Sequence, residues 1–104
     1  MELQAEIRVA AGRPALRDGW RGLADFGEVV SPADADLYPG NAAPIGKPLL
    51  YGCQVNFVEK GSSRVVLTFW AIDSPRPVMQ PAAEFSLKDG PTHIRATGRV
   101  VSAA

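Results

Sequence analysis

The sequence predicts an all-β fold, a small closed antiparallel β-barrel of about six strands. Three observations carry that expectation. Stretches of alternating apolar and polar residues recur along the chain. Ten glycines and nine prolines are spread through it and cut it into short pieces. No Gly- and Pro-free window long enough for a helix shows helical periodicity. A chain of 104 residues fits one domain, residues 1–104. Closure would remove the sheet edges that so short a chain otherwise protects only with Pro and charge.

The elements follow in order. Leu3, Ala5, Ile7 and Val9 fall on one face of the first segment, with Gln4, Glu6 and Arg8 on the other, which predicts a half-buried strand. Gly12 and Pro14 end it. A second strand is expected near 20–30, around Trp20, Leu23 and Phe26. Residues 31–48 hold four prolines and two glycines and read as a long irregular loop, with one short strand around Asp36–Tyr38. Tyr51, Cys53, Val55 and Phe57 then alternate with Gly52, Gln54 and Asn56 in a third strand, closed by the Glu59–Ser63 turn. Arg64–Ile72 is rich in β-branched and aromatic residues and apolar on both faces apart from Thr68. Asp73–Pro81 has three prolines and cannot be a central strand. Ala83–Leu87 is a short strand, Lys88–Pro91 a turn. Ile94, Ala96, Gly98 and Val100 share a face of the last strand, with Arg95, Thr97 and Arg99 opposite.

Composition narrows the chemistry. Eleven Lys and Arg balance eleven Asp and Glu, so the chain lacks the basic surplus of a general nucleic-acid binder. One cysteine forms no internal disulfide framework, and one cysteine with one histidine falls short of the usual zinc ligand sets. No basic-then-apolar leader opens the chain, and no apolar run approaches the ~20 residues that cross a bilayer. The expectation is a cytoplasmic protein with no cofactor, no metal and no membrane partner.

Several fragments, in order, resemble the C-terminal β-barrel domain of translation elongation factor Tu. Leu3-Gln4-Ala5-Glu6-Ile7-Arg8-Val9 is similar to that domain's first strand, and Asp18-Gly19-Trp20-Arg21 to its Gly-Tyr-Arg-Pro segment. Gly61–Trp70 is similar to its Pro-Gly turn and following strand. Glu84-Phe85-Ser86-Leu87-Lys88-Asp89-Gly90, followed by Ala96-Thr97-Gly98-Arg99-Val100-Val101, resembles the stretch that closes the domain. The match spans almost the whole chain. It implies a free-standing relative of that barrel. The GTPase domain is missing, since no G-x-x-x-x-G-K-[ST] phosphate loop is present. The family's tRNA-facing segments are the most altered: Gly19-Trp20-Arg21-Gly22-Leu23 lacks the Pro and Gln, and Thr92–Gly98 carries one extra residue. The resemblance therefore implies the barrel skeleton more than the RNA surface.

No catalytic constellation assembles from the sequence, and no enzyme is expected. Cys53 is in phase with inward residues and His93 follows a turn, so a Cys–His pair is disfavoured. Ser62 and Ser63 sit in a hairpin without a G-x-S-x-G elbow. Asp34 and Asp36 read as solvated loop acids, too few for calcium. Two binding surfaces stand out. The first is apolar: Val66, Trp70 and Ile72 share a face, and Tyr38 lies in the long loop. Either that face looks outward as a protein interface or self-association surface, or one of the two irregular loops covers it. The second is basic: Arg95 and Arg99 on the last strand, Arg8 if the terminal strands pair, and Arg21, all either gripping RNA or neutralised by Glu6 and Glu84. The sequence thus points first to a non-catalytic interaction module for another protein, in a translation-linked or toxin–immunity setting. A homodimer and tRNA-type binding are its alternatives.

Overall fold

The computed structural model describes residues 1–40 and 42–103, so position 41 of the 31–48 stretch lies outside the described residues. Six strands form: β1 Glu2–Val9, β2 Trp20–Val29, β3 Pro48–Phe57, β4 Arg64–Phe69, β5 Glu84–Lys88 and β6 Ile94–Ala103. Every neighbouring pair is antiparallel, and the order β1-β4-β3-β2-β5-β6 closes on itself through β1 and β6. The all-β closed barrel read from the sequence is the fold observed.

The alternation in sequence becomes an inside and an outside. Leu3, Ala5 and Ile7 of β1, Tyr51, Cys53 and Val55 of β3, and Val65, Leu67 and Phe69 of β4 are all buried. Each large apolar side chain so buried contributes about 1.5–3 kcal/mol against leaving it in water. Phe26, Tyr51, Phe69 and Phe85 form an aromatic cluster inside, with ring centroids 5.3 Å apart for Phe26 and Phe85 and 6.0 Å for Phe26 and Tyr51. Gly98 makes room for it. It stands opposite Phe85 in the β5–β6 register, and a Cβ there would lie 2.5 Å from Phe85 Cζ and 2.7 Å from the Glu6 carbonyl oxygen.

The connections divide between the two barrel ends. Residues 10–19, 58–63 and 89–93 cross one end; the longer 30–47 and 70–83 cross the other. Here the structure corrects three expectations. The strand expected over 64–72 stops at Phe69. Phe69 N–H donates to the Met1 carbonyl at 2.8 Å and the Met1 ammonium donates to the Phe69 carbonyl at 3.1 Å. Beyond this point Ile72 is buried, so it does not share an outward face with the exposed Trp70. In place of a short strand at Asp36–Tyr38 there is a 3₁₀ turn, Pro32–Leu37. Pro32 fits its first turn, where its missing N–H costs nothing. Asp34 is not a solvated loop acid: it is buried, accepts from the Ser31 N–H at 2.8 Å and the Ser31 hydroxyl at 3.0 Å, and pairs with Arg76.

Candidate functional site on the outer wall

The outward positions of β2, β3 and β4 form one continuous wall. Cross-strand register places Leu23 opposite Gly52, Arg21 opposite Gln54, and Gln54 opposite Thr68. Trp70 follows the end of β4 and is 56% exposed. Its indole lies against β3 where Gly52 has no side chain: a Cβ on Gly52 would meet Trp70 Cε3 at 3.9 Å, an ordinary contact. Arg21 from β2 places its guanidinium carbon 5.5 Å from the indole centroid. At that range the cation is attracted by the ring's electron-rich face.

A chain of hydrogen bonds holds Arg21 from its other side. Arg21 Nε donates to Gln54 Oε1 at 3.2 Å, and Gln54 Nε2 donates to Asn56 Oδ1 at 2.9 Å. Asn56 Nδ2 reaches Asp18 Oδ1 at 3.5 Å, and that oxygen accepts from the Phe57 N–H at 2.7 Å. Every donor in the series points from the cation toward the anion, so each amide is oriented by the next. The alternation of β3 places Gln54 and Asn56 on the outward phase opposite Tyr51, Cys53 and Val55. That phase was readable from the sequence. The cross-strand link from Gln54 to Arg21 was not.

The expected apolar patch does not assemble around Trp70. Val66 is half-buried and stands between Asn56 and Gln4, with polar Thr68 separating it from Trp70 along β4. Tyr38 is half-buried and packs against the core from the end of the 3₁₀ turn. Ile72 is inside. Trp70 alone of the four is more than half exposed, and its neighbours are Arg21, Leu23 and Gly52.

The four arginines separate. The terminal strands do pair, with Arg8 opposite Thr97 and Glu6 opposite Arg99, so Arg8 and Arg99 share a wall. Register continues that wall into a row of alternating charge, Arg64–Glu6–Arg99–Glu84, across β4, β1, β6 and β5. Arg64 and Glu6 close to 3.0 Å. Arg95 leaves the group. Its Nη1 pairs with Asp89 at 3.0 Å, its Nη2 reaches the Pro14 carbonyl at 3.4 Å, and its side chain is 16% exposed. Arg21 stands on the β2–β3 wall described above. Asp25, four residues further along β2, is bound by Lys88 at 2.7 Å. Burial pushes the Asp25 carboxyl up, but the Lys88 ammonium and the Gly27 N–H outweigh it and hold it below its ordinary value.

Cys53 and His93 stand in opposite surroundings, one buried and one exposed. Cys53 is fully buried, and burial pushes its thiol up to about 12, so the reactive thiolate is suppressed. His93 is exposed and its Nδ1 lies 3.9 Å from Asp89 Oδ1. Tyr51 is buried and donates its hydroxyl to Glu28 at 2.8 Å; burial and that bond raise its phenol above the ordinary range. Among the described residues no three His, Cys, Asp or Glu side chains cluster as metal ligands would, and no helix is long and apolar enough to cross a membrane. Comparison of the chain with protein-family models, with curated proteins and with solved structures finds no match. Function is therefore read from the wall's own side chains.

Proposed function

We propose that the protein is a non-catalytic interaction module that docks another protein on the β2–β3–β4 wall, at Trp70 and Arg21. One observation carries the reading: a tryptophan more than half exposed lies beside Gly52 on one strand and under the Arg21 guanidinium from another. Trp and Arg are the residue types in which interface energy concentrates. A ring and a guanidinium ordered before contact lose less freedom on binding. A cytoplasmic, translation-linked setting, on a free-standing barrel of the elongation factor Tu type, belongs to the same proposal and rests on the sequence resemblance.

Affinity capture from native lysate tests it, using wild type and Trp70→Ala side by side, with and without RNase. Support is a protein retained by wild type, insensitive to RNase and lost from Trp70→Ala while the variant's thermal melt is unchanged. Capture that ignores the Trp70 substitution, or that vanishes with RNase, overturns the reading.

A further inference from the structure

Arg21 is more than a rim charge beside an exposed ring. Its guanidinium carbon lies 5.5 Å from the Trp70 indole centroid, and its Nε donates to Gln54. Gln54 is held by Asn56, and Asn56 by Asp18, so the Nε end of the fork is anchored to β3. Among the described residues the two Nη groups make no hydrogen bond and no ion pair, and Arg21 is exposed. What remains is a planar, permanently charged, end-on pair of N–H donors. That pair matches the two oxygens of a carboxylate. Beside it the Trp70 ring and half-buried Leu23 offer apolar surface.

We infer that Arg21 and Trp70 form a two-part docking site for a segment of a partner protein that carries one carboxylate beside an apolar side chain. A carboxylate seats on the Nη pair, and an adjacent apolar side chain packs on the indole. This rests on the reading of the wall as a protein-docking surface and names the chemistry that surface selects. Charge on the wall favours a single carboxylate over a polyanion. The Arg21–Gln54–Thr68 row ends on Glu2, and the hydrogen-bonded chain ends on Asp18. A phosphate backbone needs several unpaired cations, and these acids would repel it. One carboxylate needs one guanidinium.

The test is a nuclear magnetic resonance titration of the full chain, following the Arg21 Nε–H and Trp70 indole N–H signals. The probes are the blocked tetrapeptide acetyl-Ala-Asp-Leu-Ala-amide and its neutral counterpart acetyl-Ala-Asn-Leu-Ala-amide. The expected result is saturable shifts of both signals with the acidic peptide at millimolar concentration and affinity about tenfold weaker for the neutral one. Arg21→Lys keeps the charge but not the fork, and is expected to weaken the acidic peptide several-fold. Trp70→Ala weakens both peptides. The inference is overturned by absence of a saturable shift, by equal affinity for the two peptides, or by an Arg21→Lys variant that binds like wild type. Displacement by a low concentration of tRNA would reassign the fork to phosphate, and concentration-dependent shifts without peptide would reassign the wall to a second copy of the chain; either overturns it. Failure here with Trp70-dependent capture intact removes only the carboxylate assignment. Loss of that dependence removes the docking surface itself.

Discussion

Asp34 and Arg76 form an ion pair that ties the two longest irregular segments together across one end of the barrel. Asp34 sits in the 3₁₀ turn between β2 and β3, Arg76 in the connection between β4 and β5. Beneath them Val30, Leu49, Ile72 and Met79 are buried. Two segments that a proline count marks as loops thereby become a packed cap on the core.

The cap gives acid sensitivity a defined sign. The Ser31 N–H and the Arg76 guanidinium hold the Asp34 carboxyl below its ordinary value of 3.8. The unfolded chain titrates near that ordinary value. Asp34 therefore contributes its full stabilisation above it, and loses that contribution as pH falls through the lower folded value. Urea unfolding of wild type and Asp34→Asn is expected to show a gap near neutral pH that narrows by about pH 3. A gap of equal size at both pH values would assign the stabilisation to something other than this carboxylate.

Two glycines that look alike in sequence are expected to behave differently. At Gly98 a Cβ would strike Phe85 Cζ and the Glu6 carbonyl, whereas at Gly52 it would make one ordinary contact with Trp70. Gly98→Ala is therefore expected to cost about 2 kcal/mol or more through overpacking, and Gly52→Ala well under 1 kcal/mol. Denaturant midpoints of the two variants decide the matter. Pairing Gly98→Ala with Phe85→Leu should recover part of the loss, since the ring supplies one of the two clashes. Comparable losses at the two glycines would mean that the rings do not set these contacts.

The Cys53 thiol is expected to report global opening. It is wholly inside the barrel, and burial places its ionisation near 12, far from neutral pH. Alkylation of the native protein should run at least about 10³-fold slower than that of the chain in denaturant, in line with a stability of about 5 kcal/mol or more. Rapid labelling under native conditions would show that β3 opens locally.

Most of the barrel was legible because its strands obey a period of two, and burial enforces that period. Leu3–Ala5–Ile7 and Tyr51–Cys53–Val55 each took the predicted inward face. Legibility failed where the chain leaves the sheet. Nothing local tells that Ile72 is buried, since it lies in the connection after β4 has ended at Phe69. Asp34 gave no sign of its partner, which lies 42 residues away. Trp70 and Arg21 were each singled out, but for different surfaces. Only the β2–β3–β4 register brings them to one place, with Arg21 on β2 and Trp70 at the end of β4 on either side of β3.

The alternating row Arg64–Glu6–Arg99–Glu84 makes the last prediction, for nucleic acid. Arg64 is already paired with Glu6, Arg99 stands between two acids in register, and Arg95 is committed to Asp89. Arg8 and Arg99 are left to meet phosphate on this wall, with no ion pair to either among the described residues. Two phosphate contacts produce a salt dependence with a slope no steeper than about −2 in log K against log salt. A mobility-shift titration with tRNA is thus expected to give only non-specific affinity, about 10⁻⁴–10⁻⁶ M near physiological salt. The double variant Arg8→Ala, Arg99→Ala should weaken that already low affinity further and flatten its salt slope. Nanomolar binding that collapses in the double variant would instead make these terminal strands an RNA surface, and the charge row would then be a means of orienting the nucleic acid across it.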